Sequence, residues 1–138
     1  GTKVGAMIGE AVVITHGNMP KNFVTLVKQH GALLAKGWLL GVQFDTLFTD
    51  NLYCRIARRA NDAADRIREV LVERGYTLTF DAPTNQIFIT LDNETSERLQ
   101  RSVRLGFMEK ADDTHTVMRI CTSWATTDEQ VEQLIALL

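Results

Sequence analysis

The 138-residue chain is 45% hydrophobic and carries 15 basic and 17 acidic residues, a composition typical of one folded domain and too apolar for a disordered segment. Its formal net charge of −2 gives no global reason to expect binding to nucleic acid or to a membrane surface. No apolar run approaches the roughly 20 residues of a membrane-spanning helix, and no signal-peptide pattern is present. A cytoplasmic location is therefore expected, with Cys54 and Cys121 as buried free thiols rather than a disulfide or a zinc site.

The first ten residues place a lysine among small residues. Gly1, Gly5 and Gly9 recur every four positions around Lys3, and the apolar run 11–14 follows at once. Glycines relieve a tight turn, and β-branched residues favour a buried strand, so the pattern predicts a turn that carries Lys3 with a strand behind it. This strand has no evident partner in the chain and is expected to join a larger sheet. By composition alone, Lys3 would simply be solvated.

Two helical regions are predicted next. Apolar residues keep a rough helical period from Lys21 to about Phe48, but three glycines interrupt it, and each costs about 1 kcal/mol relative to alanine. That region is expected to be one long bent helix or two helices in succession. From Leu52 to Gly75 a clearer helix has one apolar face and one face of arginines interleaved with acidic residues. The charged face is expected to be solvated rather than a phosphate or nucleic-acid site.

The remainder alternates between strands and helices. The predicted elements are the strands 76–80 and 86–91, a helix from Asn93 to about Leu105, an extended piece 107–109, a strand 117–122, and a last helix opened by a capping box at 126–129. This order predicts two-layer α+β packing, in which helices cover one face of a small sheet.

Arg119 is the most unusual residue of this part, because the strand around it is otherwise apolar. Alternation places it on one face with Val117 and Cys121. A buried unpaired guanidinium costs several kcal/mol, so Arg119 is expected to meet an anion. The anion is either an aspartate or glutamate of the protein, or the α-carboxylate of a bound amino acid in a bidentate pair. The three histidines show no spacing that suggests a metal site.

Two segments resemble the threonine aldolases, which are pyridoxal phosphate (PLP) enzymes of fold type I. The opening Thr-Lys-Val-Gly with the later Gly-Glu-Ala-Val-Val is similar to the family's lysine motif, and Arg-Ile-Cys-Thr-Ser-Trp at 119–124 resembles its carboxylate-binding strand. The segments 28–31, 35–37 and 84–89 are also similar to the family. The resemblance implies that Lys3 is the catalytic residue and carries PLP as a Schiff base, and that Arg119 binds the substrate carboxylate. It further implies that Lys28, or alternatively Lys36, lies near the cofactor phosphate.

The same resemblance implies an α/β to α+β fold, the C-terminal small domain of a fold-type-I enzyme preceded by the lysine-bearing strand and a long linking helix. Residues 1–20 would be a remnant of the large PLP-binding domain, and residues 21–138 the linking helix and small domain. The implied reaction is cleavage of threonine or a similar β-hydroxy-α-amino acid to glycine and an aldehyde. A missing N-terminal domain and other copies in a homo-oligomer are the implied partners, so the chain alone is expected to be inactive. Two alternatives stay open: another PLP lyase, such as a β-eliminating lyase or a phenylserine aldolase, and a non-catalytic α+β interaction domain.

Overall fold

A computed structural model describes all 138 residues, Gly1–Leu138, and they form two compact units. The first unit is Gly1–Tyr53 and the second is Cys54–Leu138. The expected division after residue 20 concerns the domains of a complete enzyme and stays a prediction. None of the helices combines the length and the apolar composition that crossing a membrane requires.

The first unit is helical. It contains a 3₁₀ helix at Thr2–Val4, helix α1 at Phe23–Gln29, helix α2 at Trp38–Phe48 and a second 3₁₀ helix at Thr49–Asn51. The region predicted as one bent helix or two is therefore two helices. Gly31, just after α1, has a φ of 67°, a left-handed conformation that glycine adopts without a steric penalty.

The strand expected at residues 11–14 does not form. These residues have no regular secondary structure, and both Val12 and Val13 are exposed. A strand is stable only when neighbouring backbone satisfies its N–H and C=O groups, and this unit contains no other strand. Lys3 consequently lies in a 3₁₀ helix, and the residues 11–14 that follow are irregular rather than a strand.

The second unit confirms the predicted α+β class. Helix α3 enters it from its start at Leu52 and runs to Glu73, and the elements that follow are β1 (Thr77–Leu78), β2 (Gln86–Asp92), α4 (Asn93–Gln100), β3 (Gly106–Lys110), β4 (His115–Cys121) and α5 (Asp128–Leu137). The four strands form one antiparallel sheet in the order β1-β2-β4-β3.

One face of this sheet carries the hydrophobic core. Alternate residues of β2 and β4 point to it and meet apolar residues of α3, α4 and α5; the buried members are Ala64, Ile67, Leu71, Ile87, Ile89, Leu91, Leu99, Leu105, Met118, Ile120 and Val131. The period of two in the strands and of about 3.6 in the helices brings these residues together. The opposite face of β2 and β4 carries Arg119.

The ends of the helices follow local capping chemistry. Helix α3 ends before Gly75, which has a φ of 80°. Asp92, rather than the expected Asn93, caps α4 by accepting a hydrogen bond from the Thr95 backbone N–H at 2.8 Å. The capping box of α5 pairs Thr127 with Gln130, one residue later than predicted.

Candidate active site

Lys3 lies in the 3₁₀ helix at the start of the first unit, with its side chain exposed. Its ammonium group makes no hydrogen bond or ion pair within the chain. Val4 and Ala6, which follow Lys3, are buried at 6% and 7% exposure, so the turn is anchored directly after the residue with the free amine. An accessible, unpaired amine on an anchored turn fits a lysine that bonds to a carbonyl carbon. The partial desolvation expected of such a lysine is not supplied by residues of this chain.

The turn that carries Lys3 is fastened to α2. The Met7 backbone N–H donates to the Gln43 side-chain oxygen at 2.7 Å, and the Gln43 amide donates to the Ile8 carbonyl at 3.4 Å. Gly1 is in close contact with this region, because a Cβ there would lie 2.8 Å from the Gly9 carbonyl oxygen and 3.0 Å from the Phe44 ring. The sequence predicts that glycines relieve a tight turn in this segment. At position 1 the close approach of the Gly9 carbonyl oxygen leaves no room for a side chain.

Lys28 lies in the last turn of α1 and is exposed. Its side chain has no hydrogen-bond or ion-pair partner in the chain. Lys36 precedes α2 and lines an otherwise apolar cavity of about 350 Å³ with Ile8, Leu34, Ala35, Leu39 and Leu40. Both ammonium groups are accessible, and the assignment of either one to a phosphate stays a prediction.

Arg119 lies near the end of β4 in the second unit and is half-buried. It pairs across the sheet with Phe88 of β2 on one side and with Gly106 of β3 on the other. Directly opposed residues of an antiparallel sheet share a face. Phe88 is itself stacked on Phe80, with ring centroids 4.6 Å apart, so the residue opposite Arg119 on β2 belongs to an aromatic pair.

The only hydrogen bond of the Arg119 guanidinium within the chain goes to a neutral group. Its Nη1 donates to the Gln86 side-chain oxygen Oε1 at 3.1 Å. Arg119 takes part in none of the ion pairs Gly1–Glu10, Arg66–Glu132, Arg68–Asp65 and His115–Asp112. Of the two partners expected from the sequence, a carboxylate of the same chain is therefore absent.

Arg119 borders a cavity of about 270 Å³ at the β3–β4 side of the sheet. Gly106, Cys121 and Thr122 line it from the strands and the residues just after them, and Thr126 and Gln130 line it from the start of α5. A cavity of this size holds a group as small as an amino acid. Lys3 belongs to the first unit and Arg119 to the second.

Three residues either differ from the sequence-based expectation or were missed by it. Cys54 and Cys121 are free, as expected, but both are exposed rather than buried. Cys121 is exposed because it follows the alternation of Arg119 onto the face opposite the core. Gln86 was not recognised as a partner of Arg119, because that contact depends on the register between β2 and β4, two strands that α4 and β3 separate in the sequence.

The carboxyl groups with displaced pKa values lie elsewhere in the second unit, around a polar cavity bordered by Asp92, Asp112 and His115. Hydrogen bonds from Thr95 lower the pKa of the Asp92 carboxyl, because they stabilise its ionised form. Hydrogen bonds from the Thr114 hydroxyl and backbone N–H, and then from His115, hold the pKa of the Asp112 carboxyl far below its usual range. These bonds order the turn between β3 and β4.

The chain is similar in sequence to threonine aldolases. The chain is 27% identical over 135 residues to a low specificity L-threonine aldolase of Pseudomonas aeruginosa, and the match covers 97% of the chain and 38% of that protein. A low specificity L-threonine aldolase of Pseudomonas sp. strain NCIMB 10558 is 26% identical over 137 residues, with 99% of the chain and 39% of that protein covered. No family model matches the chain.

The chain is also similar to a solved structure. The threonine aldolase of Leishmania major superimposes on 86% of the chain with a TM-score of 0.81 and 35% sequence identity. The chain matches the C-terminal portion of a threonine aldolase.

The likeness to threonine aldolases extends over nearly the whole chain and confirms the expected fold, a small antiparallel sheet with its helices. The chain spans under two fifths of the length of the threonine aldolases it matches, at 38% and 39% of the two Pseudomonas proteins. It covers 34% of the Leishmania threonine aldolase.

Proposed function

We propose that this chain is the C-terminal part of a PLP-dependent lyase of the threonine aldolase type, which cleaves threonine or a similar β-hydroxy-α-amino acid to glycine and an aldehyde. The observation that carries the proposal is Arg119, a half-buried residue that borders a small cavity and whose guanidinium has only a neutral amide as its partner in the chain. The likeness to threonine aldolases of two Pseudomonas proteins and of Leishmania major supports it. A cytoplasmic location, an N-terminal PLP-binding domain and a homo-oligomeric assembly are parts of the same proposal.

In this reading Arg119 binds the α-carboxylate of the substrate. A guanidinium presents parallel N–H donors that match the two oxygens of a carboxylate, and such charge-assisted pairs are short and strong. Fixing the carboxylate leaves the amino group and the side chain of the amino acid to be oriented about Cα. Arg119 therefore supplies binding and orientation, and takes no proton in the reaction.

Lys3 is the residue that would hold PLP, through its Nζ. Bound PLP supplies the electron sink that stabilises negative charge on the substrate Cα. The amine of Lys3 is accessible and lies on a turn anchored by the buried Val4 and Ala6, and both features suit this role. Lys28 is the proposed contact for the cofactor phosphate. In the overall reaction the Cα–Cβ bond breaks, the β-hydroxyl loses its proton to become the aldehyde oxygen, and Cα gains a proton to give glycine.

The test uses the complete product of the gene that encodes this chain, expressed with PLP. We expect acetaldehyde and glycine from L-threonine, and we expect Lys3→Ala to abolish both turnover and the visible absorbance of the bound cofactor. Arg119→Ala should raise the KM for threonine about 10- to 100-fold, since a hydrogen-bonded charge pair contributes about 1.5–3 kcal/mol. The 138-residue chain alone is the control and should show no turnover.

Other products would contradict the proposal. Pyruvate and ammonia from a β-substituted amino acid, without acetaldehyde from threonine, would assign a β-eliminating lyase instead. If the complete protein shows no cofactor absorbance, the remaining interpretation of this chain is a non-catalytic α+β interaction domain. Robust turnover by the 138-residue chain would overturn the view that the site needs residues outside it.

A further inference from the structure

We propose that Gln86 is a positioning residue that orients the Arg119 guanidinium while leaving its charge uncompensated. The inference rests on the proposed carboxylate-binding role of Arg119 and extends it to a residue that makes no contact with the substrate.

The register of β2 and β4 places Gln86 within reach of Arg119. Phe88 is directly opposite Arg119, and Gln86 is directly opposite Cys121, so Gln86 lies diagonally across from Arg119 on the same face. Diagonal neighbours in an antiparallel pair are about 7–8 Å apart at the backbone, a distance that two long side chains span. The observed Nη1–Oε1 distance of 3.1 Å is that of a well-formed hydrogen bond.

The other side of Arg119 offers no competing contact. Gly106 is its partner on β3 and has no side chain, and a Cβ there would lie 3.5 Å from the Arg119 Nε and 3.6 Å from its Cβ. Gln86 is therefore the only side chain that fixes the direction of the guanidinium by a hydrogen bond. The other N–H donors of the Arg119 guanidinium have no partner in the chain and stay available to a carboxylate.

The neutrality of Gln86 matters as much as its position. A glutamate at this site would accept the same hydrogen bond but would also pair with the guanidinium charge. A substrate carboxylate would then have to displace an internal ion pair before binding. An apolar residue would leave the long arginine side chain free to rotate, and binding would require its ordering. An amide avoids both effects.

The experiment compares Gln86→Leu, Gln86→Glu and Arg119→Ala in the complete PLP-loaded protein. The primary readout is the calorimetric Kd for glycine, and the second is the KM and kcat for L-threonine. We expect Gln86→Leu to raise the Kd and the KM about 3- to 10-fold with kcat changed less than about twofold, as the loss of one orienting hydrogen bond predicts. Gln86→Glu should raise the Kd about tenfold or more, and this increase should shrink as the pH falls and the introduced carboxylate becomes protonated.

A double-mutant cycle separates positioning from a general structural effect. If Gln86 acts through Arg119, adding Gln86→Leu to Arg119→Ala should not raise the Kd further. Full additivity of the two changes would overturn the proposal. Gln133→Leu is the matched control, because Gln133 lies exposed on α5 and bonds only to Glu129, and it should leave the Kd unchanged.

The outcomes also separate this inference from the proposed function. An unchanged Kd for Gln86→Leu beside a raised Kd for Arg119→Ala would overturn the role of Gln86 and leave that of Arg119 intact. An unchanged Kd for Arg119→Ala would overturn the carboxylate site itself, and the role of Gln86 with it. A raised Kd for Gln86→Leu that is lost in the Arg119→Ala background supports both.

Discussion

At the scale of single residues, Thr122 joins the end of β4 to α3. Its hydroxyl donates to the Ala60 carbonyl at 2.6 Å, and the residue is 1% exposed. Its backbone N–H donates to the Asn85 carbonyl at 3.0 Å, and the Asn85 side chain donates back to the Thr122 carbonyl at 2.6 Å. These bonds hold the strand end three residues beyond Arg119 and the residue just before Gln86, so they support both members of the proposed pair.

We expect Thr122→Val to lower the free energy of unfolding by about 1–2 kcal/mol, because the change keeps the shape but removes a buried hydroxyl donor. Urea unfolding followed by far-ultraviolet circular dichroism measures this. Thr77→Val is the control, because Thr77 is exposed on β1 and its hydroxyl makes no hydrogen bond. The free energy of unfolding of this variant should stay within about 0.5 kcal/mol of that of the unchanged protein. Equal midpoints for the two variants would show that the bond to Ala60 contributes nothing.

The sequence indicates Arg119 but not its surroundings. An arginine within Val-Met-Arg-Ile-Cys is conspicuous because burial of an unpaired charge is costly, and this argument needs only local alternation. Gln86 is ordinary in its own segment and becomes notable only when the register places it beside Arg119. Register is a property of two strands together. A residue that acts through a cross-strand contact is therefore hidden from an argument that treats each strand alone.

At the scale of elements, α3 shows how one helix supports the core. Leu71 is fully buried at 0% exposure, whereas its neighbour Val72 is 57% exposed, because a step of one residue turns the side chain about 100° around the helix. The core-facing residues Ala64, Ile67 and Leu71 follow the spacings of three and four that the sequence predicts.

We expect Leu71→Ala to lower the free energy of unfolding of the second unit by about 2–5 kcal/mol, since it leaves a cavity in a closed core. Val72→Ala removes a similar apolar side chain from the same helix turn and should change it by less than about 0.5 kcal/mol. Thermal or urea unfolding of the two variants is the measurement. A similar loss in both would mean that the burial of Leu71 in the core is not what sets the stability of α3.

Elements with a complete local signal were predicted well, and elements that need a distant partner were not. Helix α3 has two distinct faces and a glycine at its end, and α5 has its own capping chemistry, so both form close to where the sequence places them. The run 11–14 has β-branched residues but no neighbouring strand, and it remains irregular. The strand at Thr77–Leu78 is shorter than predicted, since only two of its residues pair with β2.

At the scale of the whole molecule, the response to acid follows from two carboxyl groups of the second unit. Asp92 accepts a hydrogen bond at the start of α4, and Asp112 accepts bonds from Thr114 and His115 in the turn between β3 and β4. Both pKa values are lowered in the folded state, chiefly by the backbone N–H of Thr95 for Asp92 and by the hydroxyl of Thr114 for Asp112. In the unfolded chain an aspartate titrates near its usual value of about 3.9.

The sign of the pH dependence follows from this difference. Below about pH 4 the carboxyl groups of Asp92 and Asp112 become protonated in the unfolded state while they are still ionised in the folded state. Acid therefore favours unfolding. The stabilisation by both carboxylates is fully present above about pH 5 and is lost as the pH falls through the lowered values in the folded state. We expect the urea midpoint of the chain to show no pH dependence from these two groups between pH 5 and 7 and to fall steadily below pH 4.

Asp112→Asn tests the origin of that fall. The amide oxygen can still accept the bonds from Thr114 and His115 but does not titrate, so the loss of stability below pH 4 should become shallower. Asp113→Asn removes the adjacent carboxyl, whose side chain accepts no hydrogen bond, and should keep the slope of the original protein. If the two variants lose stability in acid at the same rate, the hydrogen bonds of the β3–β4 turn do not govern the acid response, and other carboxyl groups must.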